Sequence, residues 1–186
     1  MTAPAVAMAD FVSAVRRLCE AGFDRQRMHR YLAETRLEPS SLEPYVRFAP
    51  GRYTRHLVHK DRGVEVLVLC WAPGSSAPIH GHEGELCWAR VERGRLRFAS
   101  YREVSREPLR LVPVAEPVEG GPGYLDGPAD IHAVENPAGL GGDAVSLHVY
   151  REPYDECDIY DAAQGTVRRV RLTYDSVPPH LAALAR

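Results

Sequence analysis

The sequence has no apolar run that approaches the length of about 18 residues needed to cross a bilayer. Its first residues, MTAPAVAMADF, also lack the basic patch and long apolar stretch of a signal peptide. Excess charge is small, since 23 basic residues stand against 25 acidic ones. No strong field is therefore available to attract nucleic acid or an anionic membrane. We expect a cytoplasmic protein that binds a small molecule.

Cysteine is scarce, which narrows its possible roles. The four cysteines, Cys19, Cys70, Cys87 and Cys157, are too few and too unevenly spaced for a disulfide framework. In a reducing compartment they remain thiols, so any special role for one of them must be chemical.

Length and composition predict one domain. With 186 residues, of which 45% are hydrophobic, the chain can bury a substantial core, and it shows no repeat of fixed period. We expect N-terminal helices over residues 1–44, a β-barrel over 45–175 and a short tail over 176–186, in a monomer.

The N-terminal segment has helical periodicity. Phe11, Val15 and Leu18 recur at the spacing of one helix face, and Gly22 predicts an end before a second helix over residues 25–35. Later in the chain, short runs rich in Val, Leu, Tyr and Thr alternate with turn residues, which is typical of an antiparallel sandwich or barrel. These runs are VEVLVLCW, LCWARVERGRLRFASY, LRLVPV, AVSLHVY and VRRVRLTY.

A histidine pair, His80 and His82, is the most informative local pattern. On a strand, residues two apart face the same side and can hold one ion together. Neutral imidazole is a common metal ligand, but a lone His-x-His also occurs on solvated strands, so the spacing alone leaves both interpretations open.

The surroundings of this pair resemble the first motif of the cupin superfamily. That motif is Gly, five residues, His-x-His, a short gap, Glu, six residues and Gly, and the matching positions are Gly74, His80, His82 and Gly94. Cys87 stands at the Glu position. The second motif ends in His, three residues and Asn, which His132 and Asn136 match, although its upstream part matches poorly.

The resemblance implies a metal site formed by His80, His82 and His132. Three neutral nitrogens leave the metal its full positive charge and open coordination positions, which favours anionic ligands. Zinc also tolerates three histidines, so the ligand set by itself does not identify the ion.

From Tyr45 to about Tyr174 the chain resembles the cysteine dioxygenases. In that family the arginine at the position of Arg55, beside Tyr53, pairs with the substrate carboxylate, and the position of Cys157 lines the pocket in the animal enzymes. The resemblance also implies a relay over three alternate residues of one strand, with the tyrosine hydroxyl directed at the substrate: Ser146, His148 and Tyr150.

Cys87 and Tyr150 match the two residues that a thioether joins in animal cysteine dioxygenases. A small buried hydrophobe is the other interpretation of Cys87. The resemblance as a whole implies a cupin barrel that holds Fe(II) and uses O2 to convert L-cysteine to cysteine sulfinic acid.

Three alternatives stay open at this point. A sibling dioxygenase would act on 3-mercaptopropionate or a bulkier thiol, although relatives that act on 3-mercaptopropionate typically carry glutamine at the position of Arg55. A cupin sensor would bind a metal or thiol without turnover. Zinc-dependent hydrolysis would need a carboxylate base, for which Glu83 and Glu85 are the candidates.

Overall fold

The chain folds into two curled antiparallel sheets that are covered on one side by short helices. The computed structural model describes residues 5–20 and 22–185. The α-helices are α1 (Met8–Glu20), α2 (Arg25–Glu34) and α3 (Pro39–Leu42), and 3-10 turns lie at Glu43–Tyr45, Ala138–Leu140 and Pro179–Ala185. None of the helices in these ranges is long and apolar enough to span a membrane.

Strands account for most of the remaining chain. The first seven are β1 (Ala5–Val6), β2 (Arg36–Leu37), β3 (Tyr53–Lys60), β4 (Val64–Trp71), β5 (Ser76–His80), β6 (Cys87–Arg93) and β7 (Leu96–Arg106). The others are β8 (Leu109–Pro113), β9 (Val118–Gly120), β10 (Leu125–Ala129), β11 (Ile131–Glu135), β12 (Ala144–Arg151), β13 (Glu156–Asp161) and β14 (Thr166–Arg171). The mainly β fold class with N-terminal helices is confirmed.

Two large sheets form the barrel. One has the strand order β10-β6-β12-β4-β3, and the other has the order β14-β13-β5-β11-β7-β8 with β9 paired to β7. The consecutive strands of each sheet run antiparallel, whereas β1 and β2 form a separate parallel pair that the periodicity did not predict. The first long strand begins at Tyr53, because residues 39–45 form α3 and a 3-10 turn, each with proline in its first turn.

The apolar run of β4 is buried on both faces. Val66 and Val68 pack with α1 and α2 in one core cluster, and Leu67 and Leu69 pack inside the barrel in the other. A strand covered on both sides reads as a continuous hydrophobic run rather than an alternating one.

The neighbouring strand β12 has one apolar face and one polar face. Its apolar residues Val145, Leu147 and Val149 belong to the helix-covered cluster. Since side chains alternate along a strand, the polar residues between them face the barrel interior. Because the helices cover the apolar face of β12, its polar face is turned toward the barrel interior.

Gly94 connects β6 to β7 in a turn that needs glycine. Its φ is +69°, and a Cβ atom there would lie 2.4 Å from the carbonyl oxygen of Asp143. Both the backbone conformation and the close approach exclude a side chain. This explains the glycine at the end of the first cupin-like motif in structural terms.

Candidate metal centre and substrate cavity

The three predicted histidines converge at one point inside the barrel. One ring nitrogen from each lies within 4.8 Å of the others, and the ring centroids are 4.7 to 5.0 Å apart. His80 ends β5 and pairs directly with His132 of β11. His82 lies beyond the strand, in a loop whose turn places Glu83 at φ 59° and Gly84 at φ 80°. The prediction that both histidines share a strand is therefore wrong for His82.

Two of these rings are oriented for metal binding by hydrogen bonds to residues outside the cluster. Nδ1 of His80 donates to the carbonyl oxygen of Pro78 at 2.9 Å, and Nδ1 of His132 donates to Asp126 at 3.2 Å. Each bond fixes the tautomer whose Nε2 carries a lone pair. Burial, together with His132 and Arg55 nearby, lowers the pKa of His80 to about 3, so its ring is neutral at physiological pH.

This donor set fits a divalent transition metal. Burial keeps the His80 ring neutral, two of the rings are oriented by hydrogen bonds from outside the cluster, and His82 and His132 are buried. A site with three neutral ligands and no carboxylate keeps the charge of the cation for exogenous ligands. Glu83 pairs instead with Arg169 at 2.7 Å, and neither it nor Glu85 lines the cavity beside the histidines.

A small cavity of about 50 Å³ opens beside the histidines. Since one water needs about 10–15 Å³ by the same measure, it has room for only a few water-sized groups. Among the residues predicted for the site, Tyr53, Arg55, His80, His132, His148, Tyr150 and Cys157 line this cavity. Ser146, His82 and Cys87 lie behind this lining layer and are buried.

Arg55 carries a positive charge into this cavity. The residue is 9% exposed, and its guanidinium has no carboxylate partner among residues 5–20 and 22–185. Its Nη1 donates to the carbonyl oxygen of Thr173 at 3.3 Å. Tyr53, two residues away on β3, stacks on Trp71 with ring centroids 4.9 Å apart, and burial raises the pKa of its phenol. Both side chains can therefore donate hydrogen bonds to an anion.

A hydrogen-bonded row crosses the cavity wall along β12. The indole of Trp71 donates to Ser146 Oγ at 2.8 Å, and Ser146 Oγ lies 2.8 Å from Nε2 of His148. Indole is only a donor, so Ser146 accepts from it, and in the tautomer of His148 that carries its proton on Nδ1 Ser146 also donates to Nε2. Nδ1 of His148 then donates to the hydroxyl of Tyr150 at 3.3 Å.

When the Tyr150 hydroxyl accepts from His148, its own proton points away from His148. Burial, with His132 and His80 nearby, lowers the pKa of His148 well below its ordinary value, so the imidazole is neutral. Burial and the neighbouring Cys87 raise the pKa of Tyr150 well above its ordinary value, so the phenol keeps its proton. The ring of Tyr150 lies 5.9 Å from that of His82, which places a hydroxyl donor next to the metal ligands.

Cys87 and Tyr150 face each other on adjacent strands. They are direct partners in the register of β6 and β12, and the Cys87 thiol is within hydrogen-bonding reach of Tyr150. Cys87 is 1% exposed, and burial followed by the nearby Asp126 raises the pKa of its thiol. The thiol and the phenol are therefore neighbours inside the barrel.

Sequence reasoning missed three residues of the site. Trp71 lines the cavity and donates to Ser146 in the hydrogen-bonded row, Asp126 orients His132, and Tyr154 lines the cavity with its ring 5.7 Å from that of Tyr150. Trp71 is the last residue of an apolar run, and the other two lie in loops or at strand starts. Their sequence neighbourhoods gave no pattern that could have separated them from ordinary core and loop residues.

Comparison with known proteins identifies the family. The family model described as cysteine dioxygenase type I matches residues 1–163. The chain belongs to this family. It is 30% identical to cysteine dioxygenase type 1 of Homo sapiens over 142 residues, which is 75% of this chain and 70% of the human protein. The enzyme of Danio rerio is 29% identical over 140 residues, 73% of this chain and 69% of that protein. The family predicted from the motifs is confirmed.

Two solved cupin structures are also similar to parts of this chain. A cupin 2 conserved barrel domain protein from Leptotrichia buccalis is 14% identical, with a TM-score of 0.46, and the match covers 60% of this chain and 47% of that one. A cupin superfamily protein from Desulfitobacterium hafniense is 15% identical, also with a TM-score of 0.46, and the match covers 64% of this chain and 93% of that one.

The contact between Asp126 and His132 predicts a measurable effect on metal affinity. We expect Asp126→Ala to weaken metal binding by about 10- to 100-fold, because the ring loses the partner that fixes its tautomer. Competition with a chromophoric chelator measures this without turnover. Asp130→Ala, which changes an exposed aspartate close by, is the control and should bind as the wild type does. Equal affinity in the two variants would remove Asp126 from the site.

Proposed function

We propose that this protein is an iron(II)-dependent dioxygenase that oxidises the thiol of L-cysteine to cysteine sulfinic acid. The observation that carries the proposal is a buried guanidinium, Arg55, which has no carboxylate hydrogen-bonded to it in the described ranges and which lines the same small cavity as His80 and His132. A guanidinium and a metal cation that face one small cavity would fit a ligand that carries both a carboxylate and a thiolate.

The protein residues divide into ligands and substrate-binding groups. His80, His82 and His132 would hold the metal, which when bound supplies the redox chemistry with dioxygen and stabilises the substrate thiolate. Arg55 and Tyr53 bind the substrate carboxylate. The planar fork of a guanidinium suits this role, since it can form two parallel hydrogen bonds to one carboxylate.

Tyr150 contributes an oriented hydrogen-bond donor. Its hydroxyl accepts from His148, so its own proton is directed away from the row, toward Cys87 and the metal ligands. There it can orient the reacting sulfur and oxygen atoms. Ser146 and His148 hold the tyrosine in this state, and Cys157 contributes to the wall of the cavity.

The reaction is balanced without a further reductant. The thiol and one molecule of dioxygen together contain every atom of the sulfinic acid, and the four electrons that reduce dioxygen come from the sulfur. The protein therefore needs one organic substrate.

Thiol-dependent oxygen uptake tests the proposed function directly. We expect protein loaded with iron(II) to consume oxygen when L-cysteine is present and to form one sulfinate for each dioxygen, measured with an oxygen electrode and by mass spectrometry. A panel with 3-mercaptopropionate and bulkier thiols ranks the substrates. Binding of thiols without oxygen uptake would instead indicate a sensor, and oxygen uptake without sulfinate would contradict the chemistry.

Removal of the carboxylate-binding group should affect binding more than chemistry. We expect Arg55→Ala to raise the KM for L-cysteine by about 10- to 100-fold, because a charge-assisted contact is lost while the metal ligands stay in place. Oxidation of cysteamine, which has no carboxylate, should change little. Arg168→Ala, an exposed arginine on β14, is the matched control. An unchanged KM in Arg55→Ala removes this residue from the scheme.

We also propose a thioether between Cys87 and Tyr150, because the two residues are direct partners on neighbouring strands. Dioxygen is the oxidant that accepts the two hydrogens lost from the thiol and the phenol ring. After turnover, intact mass should therefore fall by the mass of two hydrogen atoms. Cys87→Ser and Tyr150→Phe should abolish this difference, and Cys70→Ser should keep it, because Cys70 lies in the helix-covered core. A mass decrease that survives Cys87→Ser would refute the cross-link.

A further inference from the structure

The segment after β14, residues 172–176, is packed against Arg55. It lies beyond residues 1–163, which the family model matches. Thr173 accepts a hydrogen bond from the guanidinium, and the ring of Tyr174 lies with its centroid 5.5 Å from the guanidinium carbon. Asp175 accepts from the backbone N–H of Arg55 at 2.8 Å and donates its own N–H to the carbonyl of Arg55 at 2.7 Å. Three successive residues thus contact one side chain and its backbone.

The hydroxyl end of Tyr174 is hydrogen-bonded to a buried ion pair, Glu65 and Lys60. Its hydroxyl donates to Glu65, which is 2% exposed, and accepts from Nζ of Lys60 at 2.9 Å. Nζ of Lys60 lies 3.6 Å from Glu65 and 2.7 Å from Asp155. Burial, and next the charge of Glu65, raise the pKa of Tyr174 to about 12, so the phenol stays a donor at neutral pH.

The anchored ring of Tyr174 lies under the flexible side chain of Arg55. An arginine side chain has many rotamers, and each must be given up when a ligand is bound. A cation over an aromatic face gains about 0.5–2 kcal/mol, most where water is excluded. Because Glu65 and Lys60 fix the hydroxyl end of Tyr174, the ring offers Arg55 a single docking position before substrate arrives.

We propose that Tyr174 is a positioning residue for substrate binding, whose ring, anchored by Glu65 and Lys60, holds the Arg55 guanidinium in the orientation that binds the substrate carboxylate. This inference rests on the proposed function, because it assigns Arg55 to the carboxylate of a small thiol. Tyr174 does not line the cavity and acts only through Arg55.

Steady-state kinetics with two thiols tests this role. We expect Tyr174→Leu to raise the KM for L-cysteine about tenfold with kcat nearly unchanged, and to leave oxidation of cysteamine as in the wild type. Tyr174→Phe keeps the ring and should keep most of the affinity. In the Arg55→Ala background, Tyr174→Leu should add no further increase in KM, because its effect passes through the guanidinium.

Controls separate positioning from a loss of stability. Tyr31→Leu removes a half-buried tyrosine ring that stacks on Phe11 in the helical layer, and it should lower the melting temperature without changing KM. Glu65→Gln leaves the Tyr174 ring in place and loosens its anchor, so a smaller rise in KM is expected. This variant also serves if Tyr174→Leu does not fold, and an unchanged KM in it contradicts the anchoring by Glu65.

Calorimetry of L-cysteine binding without oxygen repeats the comparison without turnover. A larger dissociation constant for L-cysteine in Tyr174→Leu than in the wild type supports the inference, even if the wild type oxidises no cysteine. In that case only the proposed function fails. An unchanged KM and dissociation constant in Tyr174→Leu, or an additive effect in the Arg55→Ala background, overturns the inference alone. A wild-type protein that binds no L-cysteine overturns both.

Discussion

The charge of Arg55 inside the barrel is the constraint to which the rest of the site responds. A buried cation is costly unless its surroundings compensate it, and no carboxylate in the described ranges pairs with this one. The compensation comes from weaker groups, namely a carbonyl oxygen and the face of Tyr174. A guanidinium has five N–H donors, so this partial compensation leaves it strongly attractive to an anionic ligand.

The histidine cluster, in contrast, would attract an anion through the metal that it binds. Burial, and next the nearby His132, lower the pKa of His80, so this ring is neutral. Neutral ligands do not cancel the charge of a bound cation, so a metal held by the cluster would also attract an anion. The two groups differ in kind, since a guanidinium fork matches a carboxylate and a transition metal matches a thiolate. Together on one small cavity they favour a small ligand that carries both groups.

The motifs predicted what local spacing can encode. Three metal ligands, the Tyr53 and Arg55 pair and the alternation of β12 all depend on residues that are close in sequence or fall in a known pattern, and the structure brings them to one cavity. Alternation alone did not say which face of β12 was buried in the barrel. That choice is made by α1 and α2, which cover Val145, Leu147 and Val149 and turn the polar residues inward.

The partners of the site residues were beyond sequence reasoning for a related reason. Glu65 lies within the β3–β4 hairpin, whereas the tyrosine that contacts it lies 109 positions later, and Trp71 and Ser146 are 75 positions apart. Only the pairing of β4 with β12 and the return of the chain past Arg55 bring these groups together. The strand boundary before His82 was missed because the turn at Glu83 has a positive φ in a residue that is not glycine.

The hydrogen-bonded row on β12 separates a catalyst from a simple binding protein. A sensor for a small thiol needs the metal ligands and a group such as Arg55, and nothing in that task requires a chain of four buried polar groups. Here Trp71 donates to Ser146, and with the His148 proton on Nδ1 the hydrogen bonds run in one direction from Ser146 through His148 to Tyr150. Burying such a chain is favourable only if each member is satisfied, and its last proton is directed to the place where the sulfur would react. On the proposed function, this oriented donor would stabilise charge that develops during the reaction, which binding alone does not create.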